Sequence, residues 1–147
     1  MANSLSELLG EYDAKKYATD AGNAMHEKLR LIRVLDDCVK VDSELKNRIK
    51  SVDGLSVFFV ENAMTEVPIA GIINGNFVSR RIDRLVIDSD NKIIRILDYK
   101  TDIDKTIRRE KYVYQLAEYA KLMKQIYPDY KIETFILWLH DWVLEKL

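Results

Sequence analysis

Two carboxylates and one amine stand at the ends of two consecutive apolar segments: Asp83 in Arg81-Ile82-Asp83-Arg84-Leu85-Val86-Ile87, and Asp98 with Lys100 in Lys92-Ile93-Ile94-Arg95-Ile96-Leu97-Asp98-Tyr99-Lys100. If both segments are strands, side-chain alternation puts Asp98, Lys100 and Ile96 on one face and turns Tyr99 away. The same alternation puts Arg81, Asp83 and Leu85 together, and cross-strand pairing brings Asp83 near Asp98. Two carboxylates that close repel one another and raise a pKa unless a cation lies between them. Mg²⁺ is the natural ion, because it takes oxygen ligands, keeps several waters, and in hydrolytic sites activates a water toward phosphorus. Lys100 would then orient or deprotonate that water, or stabilise charge on a phosphate. The same residues also suit a plainer role, as strand-end acids neutralised by Arg81, Arg84 and Lys100 in surface ion pairs.

The positioning elements can be read in turn. β-Branched enrichment makes both segments strands, and Asp88-Ser89-Asp90-Asn91 supplies the turn of an antiparallel hairpin. Upstream, Glu66-Val67-Pro68 opens a strand through Gly71-Ile72-Ile73, and Asn74-Gly75-Asn76 turns it into Phe77-Val78-Ser79, so a three-stranded antiparallel meander is expected. Glu66 is readable as a further acid of the site or as a strand-edge glutamate. After a polar loop at 101–106, a helix spans about Arg108 to Ile126, with stripes Tyr112, Gln115, Tyr119, Leu122 and Val113, Leu116, Ala120, Met123. Gln115, polar on an apolar face, needs partners: the backbone near Lys100, a ligand phosphate, or simply Tyr119 one turn on. Pro128-Asp129 stops that helix, and Lys131 to Leu139 is the next strand, parallel to the one carrying Asp98 if the helix is a crossover. Trp142-Val143-Leu144 adds an edge strand.

At the N-terminus, Ser4 or Ser6 caps a first helix with Leu5, Leu8, Leu9 and Tyr12 on its apolar side, and a second helix starts after Asp20-Ala21-Gly22. Its apolar side carries Met25, Leu29 and Ile32, and His26 lies in its first turn, where a histidine is ordinarily solvated or capping. Residues 43–50 form a short polar helix, Asp53-Gly54 a turn, and Leu55 to Val60 a buried strand or helix end.

The sequence of elements Gly22-Asn23-Ala24-Met25-His26, Arg81-Ile82-Asp83-Arg84-Leu85, Leu97-Asp98-Tyr99-Lys100-Thr101 and Gln115-Leu116-Ala117-Glu118-Tyr119 resembles the PD-(D/E)XK nucleases. It is most similar to the nuclease domain that ends RecB and AddA helicase-nuclease subunits. The resemblance covers residues 22–119. It implies a restriction-endonuclease-like core and a Mg²⁺-dependent deoxyribonuclease, with exonuclease action, in double-strand break repair or recombination; Mn²⁺ would substitute. By the same resemblance His26, Asp83, Asp98 and the Tyr99 backbone carbonyl hold the metal, and Asp83, Asp98 and Lys100 are catalytic. Gln115, Tyr119, Arg81 and Arg84 position water or DNA. The implied partners are DNA, a helicase motor in the same chain and a second helicase-nuclease subunit. The family often has glycine three residues before the first aspartate; here that position is Arg80, which alternation places opposite Asp83.

Composition bounds these readings. A chain of 147 residues, 48% hydrophobic and 32% charged, fits one globular α/β domain, with residues 1–20 as an N-terminal helix or the remnant of a connection. Its single cysteine, Cys38, excludes an internal disulfide and a four-cysteine zinc or iron-sulfur site. No apolar run reaches the length of a membrane span and no signal pattern opens the chain, so a cytoplasmic protein without membrane contact is expected. The net charge of −1 argues against autonomous nucleic-acid binding, yet residues 80–111 carry ten Lys or Arg against seven Asp or Glu. An excess that small suggests other protein holds the DNA. The competing readings are a nuclease fold that has lost catalysis and only binds DNA or protein, and an unrelated α/β interaction domain.

Overall fold

The computed structural model describes residues 4–37 and 39–147, with the side chains of residues 8 and 11–19 outside the description. Cys38 therefore lies outside the described residues. In chain order the elements are α1 (Leu5–Arg30), α2 (Ser43–Ser51), a 3₁₀ turn (Ser56–Phe58), β1 (Met64–Ile73), β2 (Asn76–Asp88), β3 (Ile93–Lys100), α3 (Arg109–Ile126), β4 (Lys131–Trp138) and β5 (Val143–Lys146).

The five strands form one mixed sheet in the order β1-β2-β3-β4-β5. β1, β2 and β3 are the expected antiparallel meander. Its first turn is set by Asn74 (φ 50°) and Gly75 (φ 80°), the paired left-handed residues that match a two-residue turn to strand twist. In the second, the Asp88 carboxylate accepts from the Asn91 backbone N–H at 3.0 Å and its side-chain amide at 2.9 Å. α3 carries the chain over to β4, parallel to β3, and β5 returns antiparallel at the edge.

The sheet has a helical layer on each face. On one side α1 with the segment that follows it, α2 and the 3₁₀ turn bury Leu29, Ile32, Leu45, Ile49 and Phe58 against Leu97, Tyr99 and Leu137. On the other, α3 buries Leu116, Tyr119, Leu122 and Met123 against Ile82, Leu85, Ile94, Ile96 and Trp138. Burying each large apolar side chain contributes roughly 1.5–3 kcal/mol, so the two layers together fix the sheet between them. Among the described residues, no helix is long and apolar enough to cross a membrane.

Three expectations are corrected. The N-terminal region holds one continuous helix from Leu5 to Arg30, with Ser4 and Glu7 forming a reciprocal capping box. Gly22 does not end it, because a glycine inside a helix costs only about 1 kcal/mol and here removes a side chain where α1 meets Thr101. Leu5 and Leu9, expected on a packing face, are exposed, while the Leu8 and Tyr12 side chains lie outside the described residues. Leu55 to Val60 is neither strand nor helix end: it coils through the 3₁₀ turn, burying Leu55, Phe58 and Phe59 with no strand partner.

Candidate metal centre

The centre forms where the β2–β3 ladder opens. Regular pairing runs from Asp88↔Ile93 to Arg84↔Leu97 and stops there, so Asp83 and Asp98 lie just beyond the last paired residues. On the other side of β2, the register flanking Asp83 joins Arg84 to Thr65 and Ile82 to Val67, with Glu66 and Asp83 left out. Glu66 has φ 54°. A non-glycine residue in this left-handed region costs about 1–2 kcal/mol, and inside a strand it re-aims the side chain.

The break changes which way β2 faces. Ile82 and Leu85, three residues apart, both pack into the α3 layer, whereas Val86 packs into the α1 layer. Strict alternation forbids this, so the strand turns over at Asp83, while the β1–β2 register stays the same on both sides and leaves Glu66 and Asp83 as one unpaired step. Arg81 and Leu85 therefore do not share a face with each other, contrary to the alternation expected from sequence. The consequence is chemical, because the Asp83 carboxylate addresses both layers. Its Oδ1 is 3.7 Å from His26 Nε2 on α1, and its Oδ2 accepts from the Tyr99 backbone N–H at 2.9 Å. It also lies within hydrogen-bonding reach of the Asp98 carboxyl.

Asp98 is 3% exposed, and its Oδ2 is 2.6 Å from Lys100 Nζ. These side chains share the α3 face with Ile96, and Tyr99 points to the other layer, as alternation requires. Lys100 Nζ also donates to Gln115 Oε1 at 3.0 Å, and Gln115 Nε2 donates to the Tyr119 hydroxyl at 2.7 Å. The Lys100 ammonium is 4.1 Å from the centre of the Tyr112 ring, a cation–π contact. Gln115 thus uses both ends of its amide, and α3 fixes the amine from below. Burial, followed by the charge of Asp98, pushes the Tyr119 hydroxyl up, so it stays protonated.

α1 brings His26 in from the opposite layer. Gly22, one turn earlier, is buried against Thr101: a β-carbon built at 22 would lie 3.0 Å from the Thr101 Cγ2. The His26 ring packs edge-on against Tyr99, centroids 5.1 Å apart. Its Nε2 is buried and has no hydrogen-bond partner, standing 3.7 Å from Asp83 and 3.8 Å from Glu66 Oε1. Ligand atoms of His26, Glu66 and Asp83 all lie within 4.8 Å of one another.

Charge balance singles out Asp83. Asp98 is paired with Lys100, and Glu66 Oε2 is 2.7 Å from Arg81 Nε. Asp83 has no lysine or arginine of its own among the described ion pairs. Burial, followed by the neighbouring Asp98 charge, pushes its carboxyl up to about 8. A divalent cation at this point would supply the missing counter-charge. The donors fit one: two or three carboxylates and one imidazole, a mixed oxygen and nitrogen set that suits Mn²⁺ as well as Mg²⁺.

Of the residues expected from sequence, Asp83, Asp98, Lys100, His26, Gln115 and Tyr119 converge here, and the Tyr99 backbone lies among them. Arg84 does not. It is fully buried in the α1 layer, donating to the carbonyls of Phe58 (2.6 Å), Ile32 (2.7 Å), Arg33 (2.8 Å) and Leu29 (3.4 Å), with its guanidinium 3.9 Å from the Phe59 ring. It cannot reach DNA or water; its role is to tie the C-terminal end of α1 to the strand that carries Asp83. Arg81 is exposed and is held by Glu66. Arg80 lies outside the cluster, its guanidinium 3.0 Å from Glu118 on α3.

Glu66, for which the sequence favours a strand-edge glutamate over a further acid of the site, lies within this cluster. Its only sequence signal was an acid preceding Val67-Pro68 at the start of β1; its left-handed backbone is invisible in composition. A groove of about 730 Å³ runs between α1, the end of α2 and the β4–β5 turn, lined by Gly22, Met25, Arg48 and Trp142 among others. None of His26, Asp83, Asp98 and Lys100 lines it, so the candidate centre lies apart from this groove. No known family model matches this chain, and no curated protein matches it.

Proposed function

We propose that this chain is a divalent-metal-dependent deoxyribonuclease module that hydrolyses phosphodiester bonds, of the restriction-endonuclease-like kind found in RecB and AddA helicase-nucleases. The observation that carries the reading is that Asp83 of β2, without a Lys or Arg partner among the described ion pairs, has His26 of α1 on one side and Asp98 of β3, itself paired with Lys100, on the other. Surface ion pairing alone gives no reason to bury Asp98, or to leave the His26 Nε2 without a partner between two carboxylates.

In this reading His26, Asp83 and Asp98 hold the metal, with the Tyr99 carbonyl as a further oxygen. The bound ion supplies charge to polarise a phosphoryl oxygen and activate water. Lys100, held by Asp98 and Gln115, orients the attacking water and offsets charge developing on the phosphate. Gln115 and Tyr119 keep the ammonium from swinging away. Arg81, exposed beside Glu66, is placed to meet the phosphate backbone once DNA arrives. The modest basic excess of residues 80–111 supports a module fed with DNA by a motor domain and a second subunit.

Incubation with end-labelled linear DNA and with closed circular DNA, each with and without Mg²⁺ or Mn²⁺, tests the proposal. Metal-dependent loss of the linear substrate is expected. No cleavage of either DNA at any metal concentration would leave a binding module instead.

A further inference from the structure

Glu66 has four features that a strand-edge glutamate does not explain. Its backbone is left-handed inside an otherwise regular strand, its place in the β1–β2 ladder falls opposite Asp83, its Oε2 is held by Arg81, and its Oε1 faces the unpartnered Nε2 of His26. The Nε2 atom is itself shut off from solvent. A buried imidazole nitrogen flanked at 3.7 and 3.8 Å by two carboxylate oxygens is a donor set without its acceptor.

We propose that Glu66 is a further metal ligand, its Oε1 joining His26 Nε2 and an Asp83 oxygen on the cation assigned above to His26, Asp83 and Asp98. The inference rests on the metal-dependent reading above and adds a ligand to it. Adjacent ligands of a small six-coordinate ion are separated by about 3.0 Å and opposite ones by about 4.2 Å. The observed 3.7 and 3.8 Å fall between these values, so small side-chain rotations bring the atoms onto an ion. Arg81 occupies the second Glu66 oxygen and restricts the carboxylate to one orientation. The strained backbone is then explained: a regular β conformation at 66 would not give the side chain this aim.

The test is Mn²⁺ binding by calorimetry in the absence of DNA, with the whole chain as wild type, Glu66→Gln and Glu66→Gly. Glu66→Gln keeps size and removes charge; it is expected to weaken Mn²⁺ binding at least about tenfold, since ligand charge sets affinity at such sites. Glu66→Gly relieves the left-handed backbone, so it guards against a variant that merely fails to fold. It is expected to melt at least as high as wild type without metal, and to lose most of the rise in melting temperature that Mn²⁺ gives the wild type. Wild-type affinity in both variants would overturn the inference while leaving the nuclease reading intact. Absence of Mn²⁺ binding by the wild type would overturn both.

Discussion

Gly22 and Thr101 touch: a β-carbon at position 22 would lie 3.0 Å from the Thr101 Cγ2 and 3.1 Å from its Cβ. The contact sets the distance between α1 and the end of β3, and through one helical turn it sets His26 over Asp83. Gly22→Ala inside an exposed helix would stabilise by about 1 kcal/mol. Here it should push α1 outward, cancel that gain, and weaken metal binding several-fold. Equal metal affinity with a higher melting temperature would show that the contact has slack.

Arg84 offers a separation between structural and DNA-contacting roles. Arg84→Met should lower unfolding free energy by about 3 kcal/mol in denaturant titration, because four carbonyls lose a buried charged donor. A variant of undiminished stability, with a reduced salt dependence of DNA binding, would instead return Arg84 to the DNA-binding surface.

Metal binding should release protons near neutral pH. The Asp83 carboxyl is raised to about 8 in the metal-free protein, against an ordinary value of 3.8, so the folded state carries a proton there that the unfolded chain has lost. Its ionisation therefore costs stability progressively as pH rises from about 4 to about 8, and the full cost is present above that. A cation that takes the proton's place should bind more tightly as pH rises through this window. Calorimetry of Mn²⁺ binding at pH 7 in buffers of different ionisation enthalpy should show release approaching one proton; no release would contradict the assignment of Asp83.

Gln115 joins Lys100 to Tyr119 without touching the acids. Gln115→Leu should slow cleavage about tenfold or more by freeing the ammonium, with Mn²⁺ affinity within twofold of wild type. A parallel loss of metal affinity would mean that Gln115 supports the acids and not the amine.

Much of this arrangement was legible in the chain. Ile93 to Lys100 alternates cleanly, so the shared face of Ile96, Asp98 and Lys100 followed from period two alone, and Asn74-Gly75 announced its hairpin. The α3 stripe placed Gln115 and Tyr119 together because helical neighbours are four apart. What failed were the places where a local rule yields to a tertiary contact. Gly22 reads as a helix stop, but its missing side chain lets α1 cross Thr101. Arg84 reads as a surface cation, but carbonyls at the end of α1 and in the 3₁₀ turn take its donors. Alternation along β2 fails at Asp83 because Glu66 opposite is left-handed, a property that glutamate does not advertise.

The site is tested most directly by the metal dependence of cleavage by wild type, His26→Ala and Asp98→Ala, measured on one labelled linear DNA over a wide range of Mn²⁺ concentration. His26 contributes a neutral donor, so its loss should lower activity steeply at limiting metal and be partly rescued as the metal is raised. Asp98 contributes a buried charge that also holds Lys100, so its variant should recover nothing. Cleavage by His26→Ala at the wild-type rate across the range, or measurable cleavage by Asp98→Ala at high metal, would contradict the assignment of this site.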